Sequence, residues 1–253
     1  MKVERQEEIM KILKERKMCS VTDLCELIYA SPATIRRDIN DLEEKGLVRS
    51  FYGGVSIIEK NMEVLFDERK VVYEEEKKLI ANLALRLVQD DTFVSLDSST
   101  TCLTLGRKFV NHKNVRILTN GLETLSALHK ILHSPIYSTG GKLNTYTTSM
   151  LGNNAHEQIK NYYTDLFFCS CRGITELGSY EISEEEAQIK RYFSTYSSKT
   201  VLLVDDSKFN MTHPHNALTF DKIDFIISNK ALPKNIIDSI MIMNPRIHLI
   251  YEK

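Results

Sequence analysis

The chain has 253 residues, 42% of them hydrophobic and 26% charged, which is enough apolar sequence for sizeable cores and enough length for two domains. A formal net charge of −1 excludes a global electrostatic attraction to nucleic acid. No apolar run is long enough to span a bilayer, and the N-terminus has no signal-like apolar core, so no membrane partner and a cytoplasmic location are expected.

Residues 5–17 read as a helix with Ile9, Ile12 and Leu13 turned inward. Ser20 or Thr22 can cap a second helix whose apolar face is Val21, Leu24, Cys25 and Ile28. A turn through Ala30 and Ser31 then opens a third helix, with Ser31 as its cap and Pro32 in the favoured first position. Along it Ile35, Ile39 and Leu42 share one face, and Ala33, Arg36, Arg37 and Asn40 share the opposite one. Gly46 predicts the stop, and Gly53-Gly54 between two β-rich runs predicts a two-residue hairpin turn.

Three helices and a hairpin make a winged helix-turn-helix over residues 1–57. A face of small, Arg and Asn side chains suits the major groove, where Arg forks onto guanine and Asn onto adenine. Arg36 and Arg37 are expected to touch bases or phosphates, Asn40 the groove, and Ser31 and Thr34 the backbone near the helix start. The wing adds Arg49, Tyr52 and the backbone at Gly53 and Gly54. A solvated helix can also carry two arginines, and the surrounding cap, stop and wing are what favour DNA.

Residues 58–73 read as a connecting segment, and residues 74–253 as a second domain. There short β-rich runs at 92–96, 115–119, 135–139, 166–169, 200–204 and 225–228 alternate with helices near 74–88, 102–110, 122–132, 151–163, 184–198 and 233–240. Such alternation predicts a Rossmann-like α/β fold, a mostly parallel sheet covered by helices on both faces. Five cysteines without framework spacing read as reduced thiols. Cys169-x-Cys171 and His213-x-His215 do not match a standard zinc spacing, so no metal is expected.

Ligands of open α/β sheets bind beyond the carboxyl ends of the strands. The residues that follow the predicted strands are Asp97-Ser98-Ser99-Thr100-Thr101, Asn120-Gly121, Gly140-Gly141-Lys142, Ser170-Cys171-Arg172-Gly173 and Asp205-Asp206-Ser207-Lys208. Hydroxyls and amides after Asp97 suit a phosphate, Asp97 and Asn120 suit sugar hydroxyls, and Lys208 supplies a positive charge. Any one loop reads as ordinary turn residues. Five on one sheet edge favour a phosphorylated sugar or polyol.

The whole chain resembles the DeoR family of transcriptional repressors. The resemblance runs through Thr34-Ile35-Arg36-Arg37-Asp38 to Gly53-Gly54. It continues through Phe66-x-x-Arg69, Lys77, Leu96-Asp97, Thr100-Thr101, Thr119-Asn120, Gly140-Gly141, Ser149-x-x-Gly152, Glu186-Ala187-x-x-Lys190-Arg191 and Ser207-Lys208-Phe209. It implies a C-terminal domain similar in fold to ribose-5-phosphate isomerase and CoA transferases. It also implies operator DNA as partner, homo-oligomers (dimer or tetramer), and release from DNA by a phosphosugar effector, with no other cofactor. The implied function is repression of a carbohydrate-utilisation operon. Two departures stand out: Ser99 replaces a usual Gly, and Arg172 stands where the family usually has an acid.

Two other functions compete. A phosphosugar isomerase fused to a DNA-binding head would need a carboxylate base, yet Ser170-Cys171-Arg172 holds no acid. A module that only oligomerises would show no response to phosphosugars. No catalytic residue is therefore assigned.

Overall fold

The computed structural model describes residues 2–16, 18–44, 47–51, 53–57 and 65–252, apart from the side chains of Val3, Glu44 and Arg49. The chain divides into two compact units, residues 1–62 and 63–253.

The first unit contains α1 (Lys2–Arg16), β1 (Met18–Ser20), α2 (Val21–Ile28), α3 (Pro32–Glu44), β2 (Val48–Phe51) and β3 (Gly54–Ile57). Ser20 caps α2 by accepting the Asp23 amide at 2.9 Å. Ser31 does the same at the start of α3, its hydroxyl accepting the Thr34 amide at 3.3 Å, while its carbonyl accepts the amides of Thr34 and Ile35. The apolar stripe of α3 (Ile35, Ile39, Leu42) closes on Ile9, Leu13, Leu24, Val48 and Val55, all buried. The strands form an antiparallel sheet in the order β1-β3-β2, and β1 was not foreseen in the sequence. Its three residues pair with Gly54, Val55 and Ser56 and tie the start of α2 to the wing.

The hairpin differs from expectation by one position. Phe51 pairs with Gly54, so Gly54 belongs to β3 and only Gly53 of the two glycines lies in the turn. Its φ of +85° explains a glycine there. Gly46, Lys45 and Tyr52 lie outside the described residues.

The second unit begins with α4 (Phe66–Val71), part of the segment expected to be a connector, and α5 (Glu74–Leu85). Phe66 is buried in this unit's core, so residues 66–71 are structural rather than linking. Residues 58–64 of that expected connector lie outside the described residues. There follow β4 (Phe93–Leu96), α6 (Thr100–Gly106), β5 (Arg116–Thr119), α7 (Leu122–Leu128), β6 (Ile136–Ser138), β7 (Lys142–Leu143), β8 (Met150–Leu151) and α8 (Asn153–Ile159). Then come β9 (Thr164–Cys169), β10 (Gly173–Thr175), β11 (Gly178–Glu181), α9 (Glu184–Thr195), β12 (Ser197–Val204), β13 (His215–Leu218), β14 (Phe225–Ser228), α10 (Lys234–Met243) and β15 (His248–Tyr251).

Seven strands form one sheet in the order β15-β14-β12-β9-β4-β5-β6, and every neighbouring pair is parallel. Parallel strands need both faces covered, and alternate side chains supply both. Phe167 and Cys169 of β9 pack with Ile189 and Phe193 of α9 and Ile236 and Ile240 of α10. Leu166 and Phe168 of the same strand pack with Ile80, Ala81 and Ala84 of α5 and Leu103 and Leu105 of α6. Three additions to the expected fold are the edge strand β15, the antiparallel pair β7–β8 and a small antiparallel sheet, β10-β11-β13.

From β4 the chain winds outward through β5 and β6, then returns to the other side of β4 and winds away through β9, β12, β14 and β15. The winding therefore reverses between β4 and β9. A crevice forms at such a reversal, at the carboxyl ends of the two strands.

The two faces of α3 make a stability test. Ile35→Ala should cost about 2–5 kcal/mol in denaturant titration, and Asn40→Ala less than about 0.5 kcal/mol. Equal costs would contradict the assigned inner and outer faces.

Candidate functional site

The first unit presents its chemistry on α3. Ala33, Arg36, Arg37 and Asn40 are exposed, while Asp38 is only 1% exposed. Arg5 of α1 donates to the Asp38 carboxylate. Asp41 accepts from Lys2 at 2.5 Å and from Gln6 at 3.0 Å. Glu43 accepts both the amide and the hydroxyl of Ser50 on β2, the amide at 2.8 Å. Asp38, Asp41 and Glu43 of α3 thus face its neighbours, and Arg36 and Arg37 lie on the outer face. That separation supplies the local positive charge which overall composition conceals.

Thr34 and Ser31 share a hydrogen bond between their hydroxyls at 2.8 Å at the helix start. Arg49 lies on β2 opposite Ser56, and exposed Gly53 accepts the Val21 amide at 2.9 Å. Tyr52 lies outside the described residues. Helix, helix start and wing together fit a nucleic-acid backbone and groove.

The second unit concentrates polar groups at the β4–β9 crevice. Asp97, at the end of β4, is 1% exposed and accepts three bonds. Its Oδ1 takes the Ser99 amide at 2.9 Å, and its Oδ2 takes the Ser170 amide at 2.9 Å and Lys190 Nζ at 2.6 Å. Lys190 projects from α9 and also pairs with Glu181 at 3.2 Å. Burial opposes ionisation of Asp97, but the charge and hydrogen bond of Lys190 outweigh it and hold the carboxyl below its ordinary range. Burial likewise works against Lys190, yet Asp97 and Glu181 hold its ammonium well above the usual value. Glu181 is pushed up, chiefly by burial.

The remaining expected ligand residues sit around this pair. Ser99 caps α6 by accepting the Cys102 amide at 3.1 Å, while Ser98 shares a hydrogen bond with Ser149 at 2.5 Å. Ser149 and Thr147 both donate to Glu186 of α9, at 2.6 and 2.8 Å. Thr100 donates to the Arg69 carbonyl at 3.4 Å, and Thr101 is buried beside it. Asn120 is fully buried and donates to the Met150 carbonyl at 3.4 Å.

Gly140 and Gly141 follow β6 with φ of +59° and +114°. A Cβ on Gly141 would lie 2.5 Å from the Leu151 carbonyl oxygen, so a side chain there would push the β7–β8 hairpin away. Arg172 Nε lies 3.9 Å from Glu181, and Lys208 sits in a short 3-10 turn after β12.

The structure therefore brings Asp97, Ser98, Ser99, Thr100, Thr101 and Arg172 to one crevice and gives Asp97 a different task. Both its oxygens are engaged in holding loops and α9, so it positions the site rather than offering a free acceptor. The sequence reading assigned no role to Arg69, Lys77, Ser149, Glu186 or Lys190, although all five lie in the motifs quoted above, and it passed over Glu181. For Arg69, Lys77, Glu186 and Lys190 the signal was charged residues recurring between apolar positions of helices, whereas Ser149 on the β7–β8 hairpin and Glu181 on β11 had none.

Several polar atoms around the crevice are buried without a hydrogen-bond partner: Arg69 Nε, Asn120 Oδ1, Thr124 Oγ1 and Thr148 Oγ1. The loop after β5, the start of α7 and the β7–β8 hairpin carry three of them and lie against each other, with Met150 donating to Asn120 O at 2.7 Å and Leu122 to Thr148 O at 2.9 Å. Unpaired buried polar atoms are costly, and a polar ligand satisfies them. Among the described residues no group of three His, Cys, Asp or Glu side chains can hold a metal, and no helix is long and apolar enough to cross a membrane.

Two family models match this chain: the DeoR-like helix-turn-helix domain over residues 5–61 and the DeoR C terminal sensor domain over residues 73–230. The HTH-type transcriptional regulator IolR of Bacillus subtilis (strain 168) is 31% identical over 233 residues, covering 92% of this chain and 93% of that protein. The glycerol-3-phosphate regulon repressor of Escherichia coli (strain K12) is 27% identical over 234 residues, covering 92% and 93%. Ribose 5-phosphate isomerase A from Methanocaldococcus jannaschii is similar over 54% of each chain at 17% identity, with a TM-score of 0.41.

One side chain of the site links it to pH. Lys77, on α5, donates to the carbonyls of Arg69 and Val72, the latter at 2.6 Å, and burial above all pulls its ammonium down to about 7. A neutral amine still has two hydrogens for those two carbonyls. Between about 7 and the unfolded value of about 10.4, the unfolded chain holds a proton that the folded chain lacks, so stability rises with pH. Urea titrations at pH 7, 8 and 9 should show that rise in the wild type and a flatter one in Lys77→Met. An equal slope in both would contradict a neutral Lys77.

Proposed function

The chain belongs to the DeoR family of transcriptional regulators, and from that premise we propose that it represses a carbohydrate-utilisation operon and leaves its operator when a phosphorylated sugar binds. It is a DNA-binding regulator with a helix-turn-helix domain and a sensor domain, and not an enzyme. What this reading adds is the effector class, the operon class and the residues in contact.

On DNA, Arg36 and Arg37 read bases or phosphates and Asn40 a base edge. Ser31, Thr34, Arg49, Tyr52 and the backbone at Gly53 and Gly54 hold the phosphates on either side. The supporting observation is the inward-facing acids of α3, which leave two exposed arginines on the outer face.

In the sensor domain the effector lies over the β4–β9 crevice. Ser98, Ser99, Thr100, Thr101, Asn120, Gly140 and Gly141 bound it, Arg172 and Lys208 supply charge, and Asp97 holds the loops. The observation that carries this half is the set of buried, unpartnered polar atoms on α4, the loop after β5, α7 and the β7–β8 hairpin. A sugar offers hydroxyls that donate and accept, which suits such a mixed set. The protein acts as a homo-oligomer, dimer or tetramer, in keeping with the paired half-sites of helix-turn-helix operators. Effector binding changes DNA affinity only through unequal affinity for the bound and released arrangements.

The test is binding to DNA upstream of the protein's own gene, by gel shift, in the presence of a panel of phosphorylated sugars. One compound should weaken the complex. Arg36→Ala or Arg37→Ala should weaken it by about 1–3 kcal/mol without any compound. Full affinity in both arginine variants would contradict the assigned DNA face, and indifference to every compound would contradict the sensor assignment.

A further inference from the structure

We propose that Arg69 and Arg172 together form a two-guanidinium receptor for the anionic group of the effector. The inference rests on the phosphosugar reading above and adds to it where the phosphoryl group is held. Arg69 belongs to α4, the first helix of the second unit, and Arg172 to the loop between β9 and β10.

Two lysines of the crevice are already engaged. Lys190 is shared between Asp97 and Glu181 at 2.6 and 3.2 Å. Lys77 donates to two backbone carbonyls. Arg69 is different. Its Nε is shut off from solvent and has no partner, and its Nη2 reaches only the Thr147 carbonyl, at a long 3.4 Å. The guanidinium carbon lies 5.5 Å from the centre of the Phe66 ring, which shields one side. Arg172 is 15% exposed, and its Nε is 3.9 Å from Glu181, beyond hydrogen-bond reach.

The carboxylates nearby do not complete either arginine. Glu181 pairs with Lys190 through Oε1 and faces Arg172 Nε only at 3.9 Å through Oε2, Asp97 is filled by two amides and Lys190, and Glu186 accepts two hydroxyls on Oε1. Two guanidiniums with open donors and no carboxylate within hydrogen-bond reach are a costly arrangement until an anion enters. Burial first, and then the charge of Arg172, pull Arg69 down to about 9, so it remains charged at neutral pH. Burial and Arg172 also lower His213, on the segment before β13. Glu181 and Lys190 link Arg172 to Asp97, and the loop after Asp97 reaches the Arg69 carbonyl through Thr100, so both arginines border the same cluster.

The loop that opens α6 is a poorer receptor than the arginines. Its Ser99 amide is engaged by Asp97, and its Cys102 amide by the Ser99 hydroxyl. A phosphoryl group carries two negative charges and three acceptor oxygens, enough for forked bonds from both arginines. Arg69 Nη2 already bonds the β7–β8 hairpin at Thr147, and Thr100 of the crevice bonds the Arg69 carbonyl, so an anion here would join α4, α6 and the hairpin.

Thermal melting of the full chain with inorganic phosphate, at ionic strength matched with chloride, tests the receptor without a known sugar. The wild type should show saturable stabilisation. Arg172→Met, at the more open position and expected to fold, should weaken apparent phosphate affinity about tenfold or more, and Arg69→Met likewise. Arg172→Lys should fall between them and the wild type, because it keeps the charge and loses the fork. Lys160→Met, on α8 and paired with Glu157, should match the wild type. Unsaturable stabilisation of the wild type, or equal phosphate affinity in Arg172→Met, would overturn the receptor. If a phosphosugar that releases DNA from the wild type also releases Arg69→Met and Arg172→Met at unchanged concentration, the receptor fails while the sensor reading stands. If no phosphosugar releases DNA but phosphate still binds through both arginines, the sensor reading fails and the receptor stands.

Discussion

The second unit is organised around one buried ion pair, Asp97 with Lys190. Two charges taken out of water cost several kcal/mol each, and the pair is tolerable only because further donors complete the carboxylate. The amides of Ser99 and Ser170 do so, and each belongs to a loop at the winding reversal between β4 and β9. Lys190 brings in α9, and through Glu181 it brings in β11. One carboxylate thereby fixes the start of α6, the end of β9 and the inner face of α9 with respect to one another. The crevice proposed for the effector is the space these elements leave around it.

The first unit solves a different electrostatic problem. A recognition helix must show positive charge to DNA although its sequence carries as many acids as a neutral domain requires. Turning Asp38, Asp41 and Glu43 toward Arg5, Lys2 and Ser50 achieves this within one helix, and the same contacts pin α3 against α1 and β2. Stability and the proposed DNA contacts therefore use opposite faces of one element, with Ile35, Ile39 and Leu42 in the core and Arg36, Arg37 and Asn40 outside.

Much of this was legible in the sequence, for reasons that differ between elements. The apolar spacing of α3 and its Ser31-Pro32 start are local signals, and both appear in the structure as read. Six strands of the large sheet, β4, β5, β6, β9, β12 and β14, were visible as β-rich runs between helical patterns. Others were not: β1 is three residues whose pairing depends on β3 far along the chain, and β15 is four residues at the sheet edge that pair with β14 alone. Gly54 was placed in the turn because a pair of glycines suggests one, whereas strand register puts it opposite Phe51. The loops of the crevice were found from the rule of strand carboxyl ends. The partners Arg69, Lys77, Glu181, Glu186 and Lys190 were not assigned to it, because only the fold brings α4, α5, β11 and α9 to that edge. Asp97 illustrates the limit most clearly. A lone Asp after a strand looks like a free acceptor until its three donors are seen.

The account stands or falls on the coupling between Asp97 and Lys190. A double-mutant cycle by denaturant titration, with Asp97→Asn, Lys190→Met and the double variant, measures it directly. Each single change should cost about 3–5 kcal/mol, because it strands the partner's buried charge. The double variant should cost less than the sum of the two by about 2 kcal/mol or more. Additive costs would mean that the two residues act independently, and that the crevice is not assembled around their pair.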